Sequence, residues 1–516
     1  MSESGARKWI ITLTVILASL IELIDTSIVN VALPQMMGNL GATLDEVAWV
    51  VTAYVVANVI VIPMTGWLSS VFGRRNYFAG SIVLFTIASF FCGHATGIWE
   101  LVVFRFVQGV GGGALLSTSQ SIIVETFPPE ELGLANGLFG LGVVVGPTIG
   151  PTLGGWITDN YNWPWIFYVN IPIGVLACFL TLTFIHDPKE KHHGGRVDWA
   201  GIALLVAGIG SLQVVLERGE REDWFSAPYI VVLTAVAVFG IIGFIARELT
   251  AEHPVVNLRV LKDRSLAVGT LFTFILGFGL YSSVFIFPVF IQNLLGFTAM
   301  QTGLILLPGG LATAVMMPLV GKALQKGVPA QVMNALGFVS FFVFTRMLSL
   351  STLDSGRSDF FWPLIFRGVG LGLLFVPLTT LALSNLKGRD IPQGAGLTNM
   401  MRQLGGSFGI ALIATYIQHR SASHRQNLLS HVSVYDPALR ERMQGIVQAL
   451  VAKGSTLFEA RRQATGAIEG LVTRQTFLLT YMDAFRIVGI FFLGCIPLLL
   501  LFRRGRRRGP VTAPMH

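Results

Sequence analysis

The sequence predicts an all-α polytopic membrane protein, and its composition and the length of its apolar segments carry that prediction. The chain has 516 residues, of which 53% are hydrophobic and only 12% are charged. A soluble domain usually carries about 25% charged residues. Fourteen helical spans of about 20 residues each would use roughly 280 residues. This composition excludes a soluble enzyme, a disordered chain and a disulfide scaffold.

Fourteen apolar segments, each bounded by polar residues or by glycine and proline, predict fourteen transmembrane helices. Transmembrane strands are excluded because apolar and polar residues do not alternate along these segments. The predicted spans lie near 9–33, 47–68, 76–93, 98–119, 133–157, 165–186, 199–216, 228–247, 265–291, 302–323, 330–350, 361–385, 395–416 and 478–502.

The distribution of basic residues predicts the orientation of these spans. With a cytoplasmic N-terminus, roughly 20 basic residues fall on the cytoplasmic side and about 4 in short outside loops, as the positive-inside bias requires. An even number of spans then places both termini in the cytoplasm. The formal net charge of +8 follows from this bias, so we expect no nucleic acid partner. Glu22 and Asp25 interrupt the first apolar segment, which favours a retained span over a cleaved signal peptide.

An internal repeat predicts two six-helix bundles with an inserted pair of helices between them. The predicted units are an N-terminal bundle (1–186), an inserted two-helix linker (187–264) and a C-terminal bundle (265–516) that includes a long periplasmic loop (417–477). Small residues recur in the same order in the two halves: Pro63, Gly66, Gly109, Gly111, Gly113, Gly146 and Gly150 are matched by Pro318, Gly321, Gly368, Gly370, Gly372, Gly405 and Gly409.

Two acidic residues, Glu22 and Asp25, lie in the first predicted span and are the strongest candidates for function. A carboxylate at membrane depth costs about 2.5–3.5 kcal/mol on insertion scales, so it usually faces a cavity or a charged partner. Three residues apart, the two side chains lie on one helix face. One interpretation is a proton-coupling site that also meets a cationic substrate. The other is a structural ion pair with an arginine elsewhere in the chain.

Basic and polar residues within later spans are candidates for partners of these acids. Arg105 lies inside the fourth span and cannot in practice lose its proton, so it must face water or a carboxylate. Gln108 lies on the same helix face and is a candidate to act with it. Two roles are open for these residues: they tune the pKa of a carboxylate, or they hold the helix bundle together. Arg367 and Arg402 are weaker candidates, because we expect both near a membrane surface.

Aromatic residues in the ninth span and glycines in the fifth form two further patterns. Phe274, Phe278, Tyr281 and Phe285 follow one helix face and could stack on lipophilic cations, although lipid contact or helix packing is the alternative. In the fifth span, Gly142, Gly146, Gly150 and Gly154 form a groove of small residues, and Pro147 allows the helix to bend.

No cofactor or metal site is predicted. The chain contains no phosphate-binding G-x-x-x-x-G-K-[ST] motif, and its three cysteines show no C-x-x-C spacing. His192 and His193 lie in a charged loop, where solvation is favoured over metal binding. We find no nucleophile and base arrangement near a membrane face, so we expect no enzyme activity.

The polar segment 417–477 is too long for a passive connection and is predicted to form two amphipathic helices outside the membrane. Thr456 and Glu459 predict a capping box that opens the second of these helices. The surface of these two helices would either dock an adaptor or form a cap over the bundle.

Several strings together resemble those of the major facilitator superfamily, specifically its 14-span drug:proton antiporters of the EmrB-like type. The first-span string LIDTSIVNVALP (23–34) and the fifth-span string GVVVGPTIG (142–150) are the specific matches. RFVQG (105–109), WPWIFYVNIPIG (163–174) and DWFS (223–226) support them. The string GWLSSVFGRR (66–75) departs from the family's loop motif, because Ser70 stands where an acidic residue is expected.

The resemblance implies a proton-coupled exporter of lipophilic compounds in the inner membrane of a Gram-negative cell, working by alternating access. It implies an association with a periplasmic membrane-fusion adaptor and an outer-membrane channel. An exporter dedicated to one native metabolite, such as a fatty acid or a siderophore, remains the alternative. The candidate residues are Asp25, Glu22 and Arg105 for proton coupling; Glu22, Asn30, Gln108, Phe274, Phe278, Tyr281 and Phe285 for substrate; and Gly66, Gly73, Arg74, Arg75, Gly142, Gly146, Pro147 and Gly150 for conformational change.

Overall fold

The computed structural model describes residues 5–501, except residue 129, residues 188–196, residue 389 and residue 434. Throughout these ranges the regular structure is helical, with no β-strand. His192, His193 and the arginine-rich C-terminus lie outside the described residues.

The N-terminal half contains seven helices, of which α6 and α7 together form its sixth span. They are α1 (Ala6–Leu40), α2 (Leu44–Phe72), α3 (Arg74–His94), α4 (Ile98–Thr126), α5 (Leu132–Asn160), α6 (Trp165–Tyr168) and α7 (Asn170–Phe184). The inserted pair consists of α8 (Trp199–Leu205), a π-helical turn (Val206–Gly210), α9 (Ser211–Arg218) and α10 (Pro228–Thr250). The C-terminal half contains α11 (Arg264–Asn293), α12 (Ala299–Gln325), α13 (Ala330–Leu348), α14 (Arg357–Leu383), α15 (Asp390–Ser430), α16 (Pro437–Ala452) and α17 (Leu457–Gly494).

Thirteen helices of the described chain are long and apolar enough to cross a membrane, which makes the protein a multi-pass membrane protein. The remaining predicted span, near 395–416, is the thirteenth in chain order and lies in α15, whose polar residues make it less apolar than the others. Four of them, Thr398, Asn399, Arg402 and Ser407, are all buried. The helix packs against α2, α11 and α17. Since these polar groups face protein rather than lipid, a helix in this position tolerates them.

The two bundles are packed in the same way, and the repeated glycines lie at equivalent contacts. A side chain at Gly109 of α4 would meet α2, and one at Gly368 of α14 would meet α12. In the same manner Gly146 of α5 lies against Leu23 of α1, and Gly405 of α15 lies against the backbone of α11. The repeat therefore keeps small residues where corresponding helix pairs approach most closely. The predicted boundaries of the three units remain predictions.

The inserted helices lie over the line where α2 and α15 meet. Gln213 of α9 donates to Ser407 of α15 at 2.7 Å, and Arg218 donates to the backbone oxygen of Asp45 at the start of α2 at 3.1 Å. At the other end of the pair, Arg247 of α10 donates to both carboxylate oxygens of Asp198, at 2.9 and 3.2 Å. The inserted pair thus contacts both halves.

The two halves meet closely at the end of the bundle that is predicted to face the cytoplasm. Gly133 of α5 and Gly321 of α12 lie so close that neither could carry a side chain without displacing the other's backbone. Two hydrogen bonds cross the seam there: Asn136 donates to Thr380 at 3.2 Å, and Asn399 donates to Gln120 at 2.7 Å. The described conformation is therefore closed at this end.

The segment 417–477 is more regular than the two separate helices that the sequence predicts. The span helix α15 continues to Ser430, and α17 starts at Leu457 and runs without a break into the last span. Only α16 is a separate helix. The capping box of Thr456 and Glu459 is present, and no proline lies between Glu459 and the end of the helix at Gly494, so the helix propagates from the outside segment into the membrane. We call this extension of α15, α16 and α17 (residues 417–477) the helical protrusion.

Candidate functional site

Asp25 of α1 and Arg105 of α4 form an ion pair in the interior of the N-terminal bundle. Arg105 Nη1 lies 2.6 Å from Asp25 Oδ2, and the side chains of Arg105 and Asp25 are 1% and 0% exposed. The backbone oxygen of Val50 accepts a second hydrogen bond from Arg105 at 3.2 Å. The ring of Tyr54 lies 4.2 Å from the guanidinium carbon. A buried guanidinium is expected to be paired in this way, because removing it from water is costly.

Two amides complete the shell of donors around the Asp25 carboxylate. Gln108 Nε2 donates to Asp25 Oδ1 at 3.0 Å, and Asn170 Nδ2 donates to the same oxygen at 2.9 Å. The amide oxygen of Gln108 accepts from Arg105 at 2.6 Å, and Ser89 accepts from both amides. The carboxylate therefore has three donors from two helices, α4 and α7. Any change in its charge would disturb all of them together.

Asp25, Arg105 and Gln108 were predicted from the sequence as site residues, whereas Asn170 and Ser89 were not. Both lie in predicted spans, where an isolated amide or hydroxyl is the signal that could have indicated them. The amide of Gln108 is fully engaged inside the bundle, so a direct substrate contact there would require the network to open. The predicted substrate role of Gln108 remains a prediction.

Glu22 lies three residues before Asp25 but has different neighbours. Its side chain is 5% exposed, and Asn58 of α2 donates to its Oε1 at 3.1 Å. Its second oxygen, Oε2, has no hydrogen-bond partner among the described residues. The charged groups that act on Glu22 electrostatically include Asp25 in its own bundle and Arg402 of α15 in the opposite bundle. Glu22 is therefore the acidic group of α1 nearest to the seam between the halves.

Arg402 is buried within the protein on the other side of this seam, and its expected position near a membrane surface remains a prediction. It is 2% exposed, and Arg367 of α14 is 3% exposed. Arg402 interacts with Tyr281 of α11 and with Glu22, and its guanidinium lies 5.8 Å from the ring of Phe375. The polar stretch of α15 around it lowers the hydropathy that locates a span. Hydropathy alone therefore indicates little about the burial of Arg402.

The predicted aromatic stripe of α11 is divided between several neighbours. Tyr281 interacts with Arg402 at the seam, while Phe274 packs on Phe408 at 5.7 Å and Phe278 on Phe491 at 4.7 Å between ring centroids. Phe285 is 37% exposed. Of the four, Tyr281 is the residue placed next to the charged groups.

Asn30 of α1 is exposed, and it lies two helical turns beyond Glu22 towards the end of the bundle that is predicted to face the periplasm. Its side-chain amide donates to the backbone oxygen of Thr26 at 3.4 Å. A substrate contact at Asn30 remains a prediction.

The arginines of the loop between α2 and α3 contact acidic residues from elsewhere in the chain. These residues stand in for the acidic residue that Ser70 replaces in the loop motif. Arg74 pairs with Glu125 at the end of α4, and the backbone nitrogen of Arg75 donates to Asp187 at 2.8 Å. Gly73 has a φ of +81°, a conformation that favours glycine. Ser70 donates to the backbone oxygen of Trp67 at 2.7 Å. Glu125 and Asp187 thus provide the negative charge beside these arginines. Gly66, in the same motif, packs against Gln393 of α15 across the seam.

The glycines of α5 form the surface on which α1 rests. A Cβ atom at Gly142 would lie 3.3 Å from Ile16, and one at Gly146 would lie 2.7 Å from the Cβ of Leu23. Gly150 approaches Ser27 more closely still. Pro147 lies inside the same helix. Since Leu23 precedes Asp25 by two residues, this contact sets the position of the acidic segment of α1.

No group of three or more histidine, cysteine, aspartate or glutamate side chains in the described part of the chain is placed to hold a metal ion. The charged and polar side chains at the seam can take part in proton exchange, ion pairing and hydrogen bonding.

Comparison with known proteins identifies the class to which this arrangement belongs. Residues 15–410 match the profile of the Major Facilitator Superfamily. The chain is 35% identical to the "Fatty acid resistance protein FarB" of Neisseria gonorrhoeae, over 97% of this chain and 96% of that protein. It is 34% identical to the "Multidrug export protein EmrB" of Escherichia coli (strain K12), over 93% of this chain and 92% of that protein.

Solved structures show the same fold at low sequence identity. The crystal structure of the human organic anion transporter MFSD10 (TETRAN) aligns with a TM-score of 0.62 and 13% identity, covering 96% of this chain and 100% of that chain. The proton:xylose symporter XylE aligns with a TM-score of 0.59 and 14% identity. This chain belongs to the Major Facilitator Superfamily, and the predicted fold of two six-helix bundles with two inserted helices is confirmed.

Proposed function

We propose that this protein is a proton-coupled antiporter that exports lipophilic compounds by alternating access between its two bundles. The observation that carries the proposal is the placement of two buried carboxyl groups on one helix. Asp25 is held by three donors inside the N-terminal bundle, and Glu22 has a free oxygen at the seam. The similarity to the multidrug export protein of Escherichia coli supports the same activity.

The two carboxyl groups have different parts in this proposal. A proton bound by Asp25 removes the charge that Arg105 compensates, so the helices α1, α4 and α7 that share the network repack. A proton bound by Glu22 removes the charge that attracts a cationic group, so proton and substrate exclude each other there. Mutual exclusion is what antiport requires. Each proton that enters down 100 mV supplies about 2.3 kcal/mol.

A proteoliposome assay tests the proposal. Wild-type protein is reconstituted in vesicles with a pH-sensitive dye, and ethidium is added to one side under an imposed pH gradient. We expect ethidium movement to be accompanied by opposite proton movement, and to stop when an uncoupler collapses the gradient. Ethidium transport that is indifferent to the pH gradient and to the uncoupler would contradict proton coupling.

The similarity to the fatty acid resistance protein of Neisseria gonorrhoeae favours a second candidate, an exporter dedicated to one native metabolite such as a fatty acid or siderophore. Substrate competition separates the two functions. A broad exporter shows several unrelated compounds that displace each other with similar affinity. A dedicated exporter shows one metabolite that displaces all the others at much lower concentration.

We also propose an inner-membrane location in a Gram-negative cell, with both termini in the cytoplasm and the helical protrusion in the periplasm. The protrusion carries exposed apolar side chains, including Tyr435 and Phe458 at 82% and 77% exposure, which suit contact with a periplasmic adaptor that continues to an outer-membrane channel. A photo-crosslinking residue at Phe458 should capture the adaptor in intact cells. Labelling of that position from the cytoplasmic side would contradict the orientation.

A further inference from the structure

The seam between the bundles holds an acidic and a basic side chain from opposite halves, and each has a buried atom without a partner. Among the described residues, neither Glu22 Oε2 nor Arg402 Nε has a hydrogen-bond partner. The two residues are 5% and 2% exposed. Leaving a buried charged group unsatisfied is costly, so these two atoms mark a place where a ligand can contribute binding energy.

Glu22 and Arg402 act on each other through space without forming a direct ion pair. Each is among the charges that influence the other, yet none of the ion pairs closer than 4.0 Å in the described part of the chain joins them. We refer to the region between these two side chains, which belong to different bundles, as the gap. A ligand in this gap would connect the two halves.

We infer that this gap binds zwitterionic amphiphiles, with the cationic group of the ligand at Glu22 and its anionic group at Arg402. The inference rests on the proposed export function and names a preferred class of substrate for it. A compound with a single positive charge would gain the contact with Glu22 but would be repelled by Arg402. A compound with a single negative charge would gain the contact with Arg402 but would be repelled by Glu22. Only a ligand with both charges satisfies both residues.

The surroundings of the two charges suit an aromatic or aliphatic body between the polar groups. Phe375 of α14 lies beside the guanidinium of Arg402 at 5.8 Å, and Tyr281 of α11 interacts with the same group. On the side of the N-terminal bundle, Tyr54 and Asn58 of α2 are buried near Glu22. The polar contacts thus fix orientation while the rings provide apolar contact, as is usual in small-molecule sites.

A matched series of ligands tests this inference through binding, which does not depend on proton coupling. The probes are 2-naphthylalanine, which carries both charges, its carboxamide, which carries only the positive charge, and 3-(2-naphthyl)propionate, which carries only the negative charge. Dissociation constants are measured at pH 7 with purified protein in lipid nanodiscs. We expect the zwitterion to bind about ten to one hundred times more tightly than either singly charged probe.

Two substitutions assign the preference to the two residues. Arg402→Gln should make the zwitterion and its carboxamide bind equally, while binding of the carboxamide is kept or improved. Glu22→Gln should make the zwitterion and the propionate bind equally. Arg402→Lys should keep part of the preference for the zwitterion. If Arg402→Gln does not fold, the comparison of Arg402→Lys with the wild-type protein on the same three probes tests the role of Arg402.

Equal binding of the three probes by the wild-type protein would overturn the inference. So would an Arg402→Gln variant that weakens all three by the same factor. These outcomes are distinct from failure of the proposed function. Proton-driven ethidium transport without a preference for the zwitterion overturns only the substrate class, whereas a clear preference without proton-driven transport of any compound overturns only the export proposal.

Discussion

Asp25 and Arg105 are joined by a 2.6 Å ion pair that is closed off from solvent inside the N-terminal bundle. Two amides, of Gln108 and Asn170, donate to the same carboxylate. The pair connects α1 to α4, and Asn170 connects both to α7. Proton binding at Asp25 would therefore take place within one bundle. Glu22, three residues earlier, lies near the seam between the bundles.

The ion pair predicts a characteristic pattern of stability in single and double variants. Arg105→Gln leaves the buried Asp25 carboxylate without its charged partner, which typically costs about 3–5 kcal/mol. The single variant should therefore unfold at a clearly lower temperature in detergent. The double variant Asp25→Asn/Arg105→Gln removes both charges and should recover most of that loss. If the loss of stability in the double variant equalled the sum of the losses in Asp25→Asn and Arg105→Gln, the ion pair would not be the source of the stability.

Close contact between α1 and α5 predicts that two neighbouring glycines of α5 differ in how well they tolerate substitution by alanine. Gly146→Ala places a methyl group 2.7 Å from the Cβ of Leu23, whereas Gly142→Ala places one 3.3 Å from Ile16. We expect Gly146→Ala to reduce ethidium transport severalfold, because α1 must shift and carry Asp25 with it, and to cost about 1–3 kcal/mol of stability. Gly142→Ala is the matched control and should stay close to wild type. Equal effects of the two substitutions would argue against the contact.

The hydrogen bond between Asn399 and Gln120 predicts a shift in the conformational equilibrium. It crosses the seam at 2.7 Å at the end that is predicted to face the cytoplasm. Asn399→Leu leaves a buried amide without its partner and should favour opening of that end by about 1–3 kcal/mol. A cysteine introduced at Thr380 should then react faster with a membrane-impermeant maleimide applied from the cytoplasmic side. An unchanged labelling rate would show that this hydrogen bond does not hold the seam closed.

The contact between Asp198 and Arg247 predicts a pH dependence of stability. The hydrogen bonds from Arg247 hold the pKa of Asp198 below its usual value of 3.8. A carboxyl group with a lowered pKa in the folded state stabilises the protein above its unfolded pKa, and this contribution disappears as the pH falls through the folded pKa. Arg247→Gln should therefore lower the unfolding temperature at pH 7.

The size of this effect should be modest, about 0.5–1 kcal/mol, because the arginine is half exposed. As the pH falls below about 4 and then through the lowered pKa of Asp198, the wild type and the variant should converge, since Asp198 becomes protonated in both. A difference that stayed constant between pH 7 and pH 3 would show that Arg247 stabilises the inserted pair through packing rather than through its charge.

Much of the fold followed from the sequence because membrane spans obey simple rules of length and apolarity. The repeated glycines predicted the pairing of the two bundles, since only small residues permit such close helix contacts. The span within α15 is the informative case. Its buried polar residues, including Asn399 and Arg402, make it less apolar than the other spans, and they are the residues that meet the opposite bundle.

The candidate site was predictable only in part. Asp25 and Arg105 stand out because charged residues are rare inside spans, but periodicity alone placed Glu22 and Asp25 on one face without showing that their neighbours differ. The burial of Arg402 depends on tertiary packing of α15 between α2 and α11. The same holds for Asn170, whose role arises only when α7 packs beside α1.

The comparison of two transport modes in the Asp25→Asn variant tests the central proposal most directly. Exchange of labelled for unlabelled ethidium across the vesicle membrane requires only rocking of the bundles, whereas accumulation driven by a pH gradient also requires the proton site. The account predicts that Asp25→Asn retains exchange and loses accumulation, while Asp45→Asn, at an exposed carboxylate, retains both. Full proton-driven accumulation by Asp25→Asn would contradict the assignment of Asp25 as the coupling residue.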